Sequence, residues 1–138
     1  MEDNYTVLVA EDNIGHFLLT KKIIEQSGIS KEIIHLPDGQ VTYDFLNENC
    51  SILDDKNYLL LLDIRMPKID GVEILEWMKG NPFLSCIPVI IISTSDNPEN
   101  ISRCKNLGCN EYIVKPIDGT FREKIADGIE HALSACAL

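Results

Sequence analysis

The chain has 138 residues, 45% of them apolar and 25% charged, with a formal net charge of −10 at pH 7. That length suffices to bury about two thirds of the unfolded surface around one core, so residues 1–138 are expected to form a single domain. The acidic balance argues against DNA or RNA as a partner, since nucleic-acid binding needs lysines and arginines to displace phosphate counterions, and it favours a protein partner or a metal ion.

The first residues, Met1-Glu2-Asp3-Asn4, are acidic where a signal peptide is basic, and no apolar run approaches the roughly 20 residues that span a bilayer. A soluble, cytoplasmic protein with no membrane contact is expected. Tyr5 to Ala10 is a short β-branched and apolar run that predicts a strand. After the polar Glu11-Asp12-Asn13, the apolar residues Ile14, Leu18, Leu19, Ile23 and Ile24 recur at near-helical spacing until Gly28. Ile33, Ile34 and Leu36 predict a second strand, Pro37-Asp38-Gly39 a turn, and Val41 to Asn49 a second helix. The polar stretch Asn47 to Asn57 reads as a surface loop without an assigned role.

The unit repeats three more times. Leu59 to Asp63 leads to a helix over Val72 to Lys79, Val89 to Ser93 to one near Glu99 to Leu107, and Tyr112 to Val114 to one near Phe121 to Ala135. The fourth helix is well punctuated: Asn97 can cap it, Pro98 suits its first position, and Gly108 suits a left-handed residue past its end. Runs such as Leu59 to Leu62 and Val89 to Ile92 are apolar at every position, as expected when helices cover both faces of a parallel sheet. The fold class is therefore α/β, a doubly wound five-stranded parallel sheet.

In such sheets ligands bind outside the carboxyl ends of the strands. The polar residues there are Glu11, Asp12 and Asn13 after the first strand, Asp63 after the third, Ser93, Thr94 and Ser95 after the fourth, and Lys115-Pro116 after the fifth. Each alone has a plain explanation: Asp12 or Asn13 caps a helix, Asp63 ends a strand, Lys115 is solvated. Together they are harder to dismiss, because two carboxylates ~5 Å apart at an effective dielectric of ~20 repel by roughly 3 kcal/mol. A hard divalent cation offsets that cost, and Mg²⁺ suits one or two carboxylates and several waters. Lys115 can hold either Asp63 or an anionic group attached to it, and a carboxylate beside Mg²⁺ can attack phosphorus to form an acyl phosphate.

Glu11-Asp12-Asn13, Asp63 with Met66-Pro67 and Asp70-Gly71, Ser93-Thr94-Ser95, and Tyr112-Ile113-Val114-Lys115-Pro116 resemble the receiver domain of bacterial two-component response regulators. The resemblance spans nearly the whole chain and is closest to single-domain regulators associated with cyanobacterial phytochromes, which carry similar MPKxDG and STSxNPxxI stretches. It implies a flavodoxin-like strand order 2-1-3-4-5. It implies that Asp63 accepts a phosphoryl group from a sensor histidine kinase, phytochrome-like in this subgroup. Asp12 would ligate Mg²⁺ directly and Glu11 through water, with the backbone carbonyl of Arg65 completing the protein's share. Lys115 would bridge Asp63 to the phosphoryl group, and Lys115-Pro116 would be a cis peptide. Ser93 would be the hydroxyl that moves to a phosphoryl oxygen, and Tyr112 the ring whose rotamer follows. The face around the fourth helix, fifth strand and fifth helix would signal to a downstream protein.

Serine at position 93 departs from the threonine more usual in the family; it keeps the hydroxyl and loses a methyl. Arg65 and Ser95 hold positions that in the family tune the lifetime of the acyl phosphate. The chemical class that competes is a Mg²⁺-dependent phosphohydrolase of the haloacid dehalogenase type, which resembles DxDxT at its nucleophile; this chain has Arg65 where the second aspartate would stand. A nucleotide or flavin binder would need a glycine-rich phosphate loop, and the first turn here is acidic. The five cysteines, Cys50, Cys86, Cys104, Cys109 and Cys136, are odd in number and contain no CxxC, so buried or half-buried free thiols are expected. His16, His35 and His131 share no ligand spacing and read as structural or solvated. Trp77 reads as packing. Phe121, Ile125, Ile129 and Leu133 should cover the sheet, with any left exposed available to a homodimer.

Overall fold

The computed structural model describes residues 5–28, 30–53, 58–115 and 120–136. Five strands alternate with five helices: β1 (Tyr5–Ala10), α1 (Ile14–Ser27), β2 (Ser30–Leu36), α2 (Gly39–Leu53), β3 (Tyr58–Leu62), α3 (Gly71–Lys79), β4 (Val89–Ser93), α4 (Pro98–Asn106), β5 (Glu111–Val114) and α5 (Phe121–Cys136). All neighbours pair in parallel, in the order β2-β1-β3-β4-β5. This is the doubly wound, flavodoxin-like sheet expected. No helix among the described residues is long and apolar enough to cross a membrane.

The unbroken apolar runs are explained by the two-residue period of a strand. Leu8, Ala10, Leu60, Leu62, Val89 and Ile91 face a core that includes Leu46 of α2, Ile74, Leu75 and Met78 of α3 and Cys104 of α4. Their neighbours Val7, Val9, Leu59, Leu61, Ile90 and Ile92 face a second core with Phe17, Ile23 and Ile24 of α1 and Phe121, Ile125 and Ile129 of α5. A strand that is apolar at each position feeds both layers. The three α5 residues are fully buried and take no part in an exposed dimer face; the side chain of Leu133 lies outside the described residues. Trp77 packs on Tyr43 with ring centroids 4.4 Å apart, the packing role expected of it.

Helix ends follow their capping residues. Asn13 accepts the amide of His16, Asp70 that of Glu73 and Asn97 that of Glu99. Pro98 opens α4, and Gly108 beyond its end has φ +96°. Asn47 to Leu53, within the stretch Asn47 to Asn57, is not the loop its polarity suggested. Asp38 caps α2 by accepting from the Val41 amide at 2.8 Å, and the helix runs on through Leu53. Asn49 donates to the Phe45 carbonyl one turn back, while Leu46 is buried and Cys50 half-buried on the same face. Polarity there marks the wet side of a helix. Positions 54–57 lie outside the described residues. Of the cysteines, Cys104 is buried, Cys50 and Cys109 are half-buried, and Cys86 is exposed, contrary to expectation; the side chain of Cys136 lies outside the described residues.

One close approach ties the fold to the strand ends. A side chain on Gly71 would collide with the carbonyl oxygen of Asp63 and come within 2.8 Å of Ile64 Cα. Gly71 also donates to the Ile64 carbonyl at 2.7 Å. The start of α3 is thus seated against the backbone that carries Asp63, which only glycine permits. Gly71→Ala should destabilise the protein by about 1–3 kcal/mol, the usual cost of forcing a methyl into packed backbone, measured as a lower midpoint in urea with an unchanged m-value.

Candidate functional site

The sheet's hydrogen bonds run one residue past the strand ends, and that residue is each time a charged one. The amide of Glu11 donates to Leu36 O at 3.1 Å, that of Asp63 to Ala10 O at 3.0 Å, and that of Lys115 to Ser93 O at 2.7 Å. Ala10 is in register with both Leu36 and Leu62, and Ser93 with Val114. The charged groups are therefore fixed by the rigid sheet, although each lies just beyond a strand.

Glu11, Asp12 and Asp63 each offer a carboxylate oxygen, and these oxygens all lie within 4.8 Å of one another. Glu11 and Asp63 are buried; Asp12 is exposed. The Lys115 ammonium, with its side chain only 3% exposed, contacts Glu11 Oε1 at 2.7 Å and Asp63 Oδ2 at 3.3 Å. Three carboxylates and one ammonium leave the pocket two negative charges in excess, the charge of one divalent cation. The donor set, oxygen only and partly open, suits a hard ion such as Mg²⁺. Both Glu11 oxygens already have protein donors, Lys115 Nζ and the Asn13 amide at 3.2 Å. Asp12, at the mouth, has the more accessible carboxylate.

Burial pushes the Asp63 carboxyl up to about 6; Lys115 pulls against this, while the nearby Glu11 charge adds to it. The Arg65 amide donates to Asp63 Oδ1 at 3.1 Å, and the Arg65 side chain is exposed. On the other side, Ser93 is fully buried, and its Oγ accepts from the Ser95 amide at 3.1 Å. Ser95 Oγ accepts from the Asn100 side-chain amide at 2.9 Å, and Ser95 O accepts from the Tyr112 hydroxyl at 2.8 Å. Thr94 is exposed. Burial raises the Tyr112 phenol, while hydrogen bonds to Ser93 and Ser95 oppose that rise.

Glu11, Asp12, Asp63 and Lys115 thus meet as the sequence implied, with Ser93, Ser95 and Tyr112 joined in one hydrogen-bonded group beside them. Pro116 lies outside the described residues, and with it the cis peptide expected at Lys115-Pro116. Two histidines proved less remote than expected. His16 Nδ1 is 3.0 Å from Lys115 Nζ. His35 stacks on Phe17, centroids 3.8 Å apart, and its Nε2 donates to the Glu11 carbonyl at 2.7 Å. His131, 77% exposed, pairs with Glu111 at 3.0 Å.

The sequence model of the response regulator receiver domain matches residues 7–126. The chain belongs to the response regulator receiver domain family. A receiver domain of Rhodospirillum rubrum superposes with a TM-score of 0.82 at 33% identity, covering 93% of this chain and 94% of that one. Response regulator Rcp1 of Synechocystis sp. is 33% identical over 125 residues, 90% of this chain and 85% of its own. The Mn(2+)-bound form of Rcp1 superposes with a TM-score of 0.76, 32% identity and 91% of each chain covered. The phosphorylated cyanobacterial phytochrome response regulator RcpA gives 0.79, 30% identity and 96% of each chain. This receiver is accordingly a signalling protein, similar to phytochrome response regulators as its motifs implied, and the haloacid dehalogenase alternative is not supported.

When no metal is bound, the receiver's pocket carries a stability cost with a definite sign. Asp63 has an ordinary value of 3.8 and is raised to about 6 in the fold, so its ionised form disfavours the native state. That penalty is full above pH 6 and gone below pH 3.8. In chelator, Asp63→Asn should be more stable than the parent at pH 8, by roughly 3 kcal/mol at most. The gain should shrink as the pH is lowered from 6 to 4. Thermal melts across that range test it; a difference that does not change with pH would refute the cause assigned.

Proposed function

We propose that the protein is a two-component response regulator in which Asp63 is the phosphoryl acceptor. The observation that carries this reading is the Lys115 ammonium joining Asp63 to Glu11 inside a carboxylate cluster at the end of a buried strand. A carboxylate oxygen of Asp63 attacks phosphorus of a phosphohistidine on the donor kinase. The new O–P bond forms as the P–N bond breaks, and the departing imidazole nitrogen takes up a proton. The product is an acyl phosphate on Asp63. The protein catalyses this reaction on itself and is no enzyme toward other substrates.

Asp12, Asp63 and the Arg65 backbone carbonyl would hold Mg²⁺, with Glu11 acting through water. When bound there the ion supplies charge neutralisation for the phosphoryl oxygens. Lys115 keeps Glu11 in place and holds a phosphoryl oxygen. Ser93 donates its hydroxyl proton to another. Because Ser93 Oγ also accepts from the Ser95 amide, and Ser95 O from Tyr112, movement of Ser93 reaches Tyr112 through one residue. The α4-β5-α5 face is the output surface. A coupling of about 1–3 kcal/mol suffices to shift populations usefully.

The donor is a sensor histidine kinase, phytochrome-like by analogy with RcpA, described as a cyanobacterial phytochrome response regulator. Ile14 and Leu18, 60% and 55% exposed, lie one helical turn apart at the start of α1, next to the pocket; they give a protein donor an apolar surface to cover. Residues 1–138 work as one cytoplasmic receiver domain whose output passes to a protein partner. A homodimer would have to use apolar surface other than the buried Phe121, Ile125 and Ile129.

Incubation with Mg²⁺ and a small acyl-phosphate donor should add one phosphoryl group to the intact mass. Chelator or Asp63→Asn should abolish the gain; equal labelling of Asp63→Asn would overturn the assignment. Lys115→Ala should retain Mg²⁺ binding but lose the Tyr112 response to phosphorylation, followed by the tyrosine ring resonances. A normal response in that variant would remove Lys115 from the switch.

A further inference from the structure

The Lys115 ammonium has three protons and no lone pair. Among the described residues it has three acceptors: Glu11 Oε1 at 2.7 Å, His16 Nδ1 at 3.0 Å and Asp63 Oδ2 at 3.3 Å. Since the lysine can only donate, His16 Nδ1 offers its lone pair and the ring proton sits on Nε2. The buried ammonium is thereby saturated, and nothing remains for an incoming anion until one contact is released. The acceptors are unequal. All three bonds are charge-assisted by the ammonium, but Glu11 and Asp63 also bring a negative charge to the acceptor end, which His16 Nδ1 does not. It is also the outermost: Glu11 and Asp63 are buried, whereas His16 is half-buried in the first turn of α1.

We propose that His16 is a positioning residue for Lys115: it holds the third ammonium proton while Asp63 is unphosphorylated and yields it to the phosphoryl group, setting how readily the receiver is phosphorylated. The inference rests on the reading of Asp63 as acceptor. Lys115 keeps Glu11 throughout and exchanges a neutral nitrogen for a charged oxygen. The exchange is favourable once the phosphoryl group is in place, but loss of the His16 contact resists its entry.

The test compares phosphorylation rates with Mg²⁺ and a small acyl-phosphate donor in the parent, His16→Leu and His16→Asn. Leucine keeps bulk without an acceptor, and asparagine places Oδ1 near the position of Nδ1. His16→Leu should be phosphorylated about three- to tenfold faster, and His16→Asn should return to within about twofold of the parent. Equal or slower labelling of His16→Leu, or an asparagine variant that behaves like leucine, would overturn the proposal. A second measurement needs no variant at this position. In ¹⁵N imidazole spectra of the parent, His16 should show an unprotonated Nδ1 whose resonance moves when Mg²⁺ and beryllofluoride are added. A protonated Nδ1 beforehand, or an unmoved signal in protein that binds beryllofluoride, would likewise refute it. If the parent takes up no phosphoryl group, or takes it up elsewhere than Asp63, the acceptor reading fails. If Asp63 is labelled normally and only the position-16 results disagree, the failure belongs to His16 alone.

Discussion

A single buried ammonium holds the functional end of this fold together. Without Lys115, Glu11 and Asp63 would confront each other across a few ångströms, at a cost of roughly 3 kcal/mol for two carboxylates ~5 Å apart at a dielectric of ~20. The lysine's contacts at 2.7 and 3.3 Å offset that repulsion. They cannot remove it, because Asp12 brings a third carboxylate. The outcome is a pocket deliberately left short of positive charge, in which burial keeps Asp63 less acidic than an ordinary aspartate. Such a site stores electrostatic strain that a cation relieves, and the sheet must be stiff enough to bear it. That stiffness comes from the two packed layers, into which Val7 to Ala10 of β1, Leu59 to Leu62 of β3 and Val89 to Ile92 of β4 send only apolar side chains.

The connection from β3 to α3 carries a second kind of strain. Lys68 is the one non-glycine residue with positive φ among the described residues, +75°, and the Ile69 amide donates to Pro67 O at 2.9 Å across it. This is a γ-turn of the rare, strained hand. The same Pro67 carbonyl accepts from Gly39 at the start of α2, and Lys68 pairs with Asp38 at 3.4 Å. Gly39 is seated so tightly against Ile69 that a side chain would collide with the Ile69 carbonyl. Two helix starts therefore clamp the turn from either side. The strained conformation persists because its surroundings over-determine it, and what it fixes is the backbone just after Asp63.

How much of this could be read from the sequence depends on which physical signal each residue gives. The strands were plain, since only a strand covered on both faces is apolar throughout, as in Leu59 to Leu62. The residues after the strands were also plain, because a charged residue directly following such a run has no role in packing. Asn47 to Leu53 misled because side-chain polarity reports solvent, and a helix with one wet face resembles a loop when its apolar positions are few. His16 was missed for a geometric reason. Side chains in a helix lean toward its N-terminus, so a residue in the first turn of α1 reaches back over the end of β1. Its position four residues after Asp12 was the available clue. The partner it meets, Lys115, is 99 residues away, and no local pattern brings that lysine to it.

In the proposed switch, Ser95 would carry a change at the pocket without a long path. Its amide donates to Ser93 Oγ, its own Oγ receives Asn100 of α4, and its carbonyl receives Tyr112 of β5. A hydroxyl can accept and donate at once. Ser93 can therefore give its proton toward the pocket while still holding the Ser95 amide, so a pull on Ser93 is transmitted rather than broken. Ser95 is buried, and each of its polar groups has a partner of its own; displacing it leaves either Asn100 or Tyr112 to find a new acceptor. Buried polar groups do not stay unpaired without cost, which opposes partial displacement of Ser95. The short reach from Ser93 to α4 and β5 follows from the sheet order itself, which sets β4 between β3, with Asp63 just past its end, and the edge strand β5.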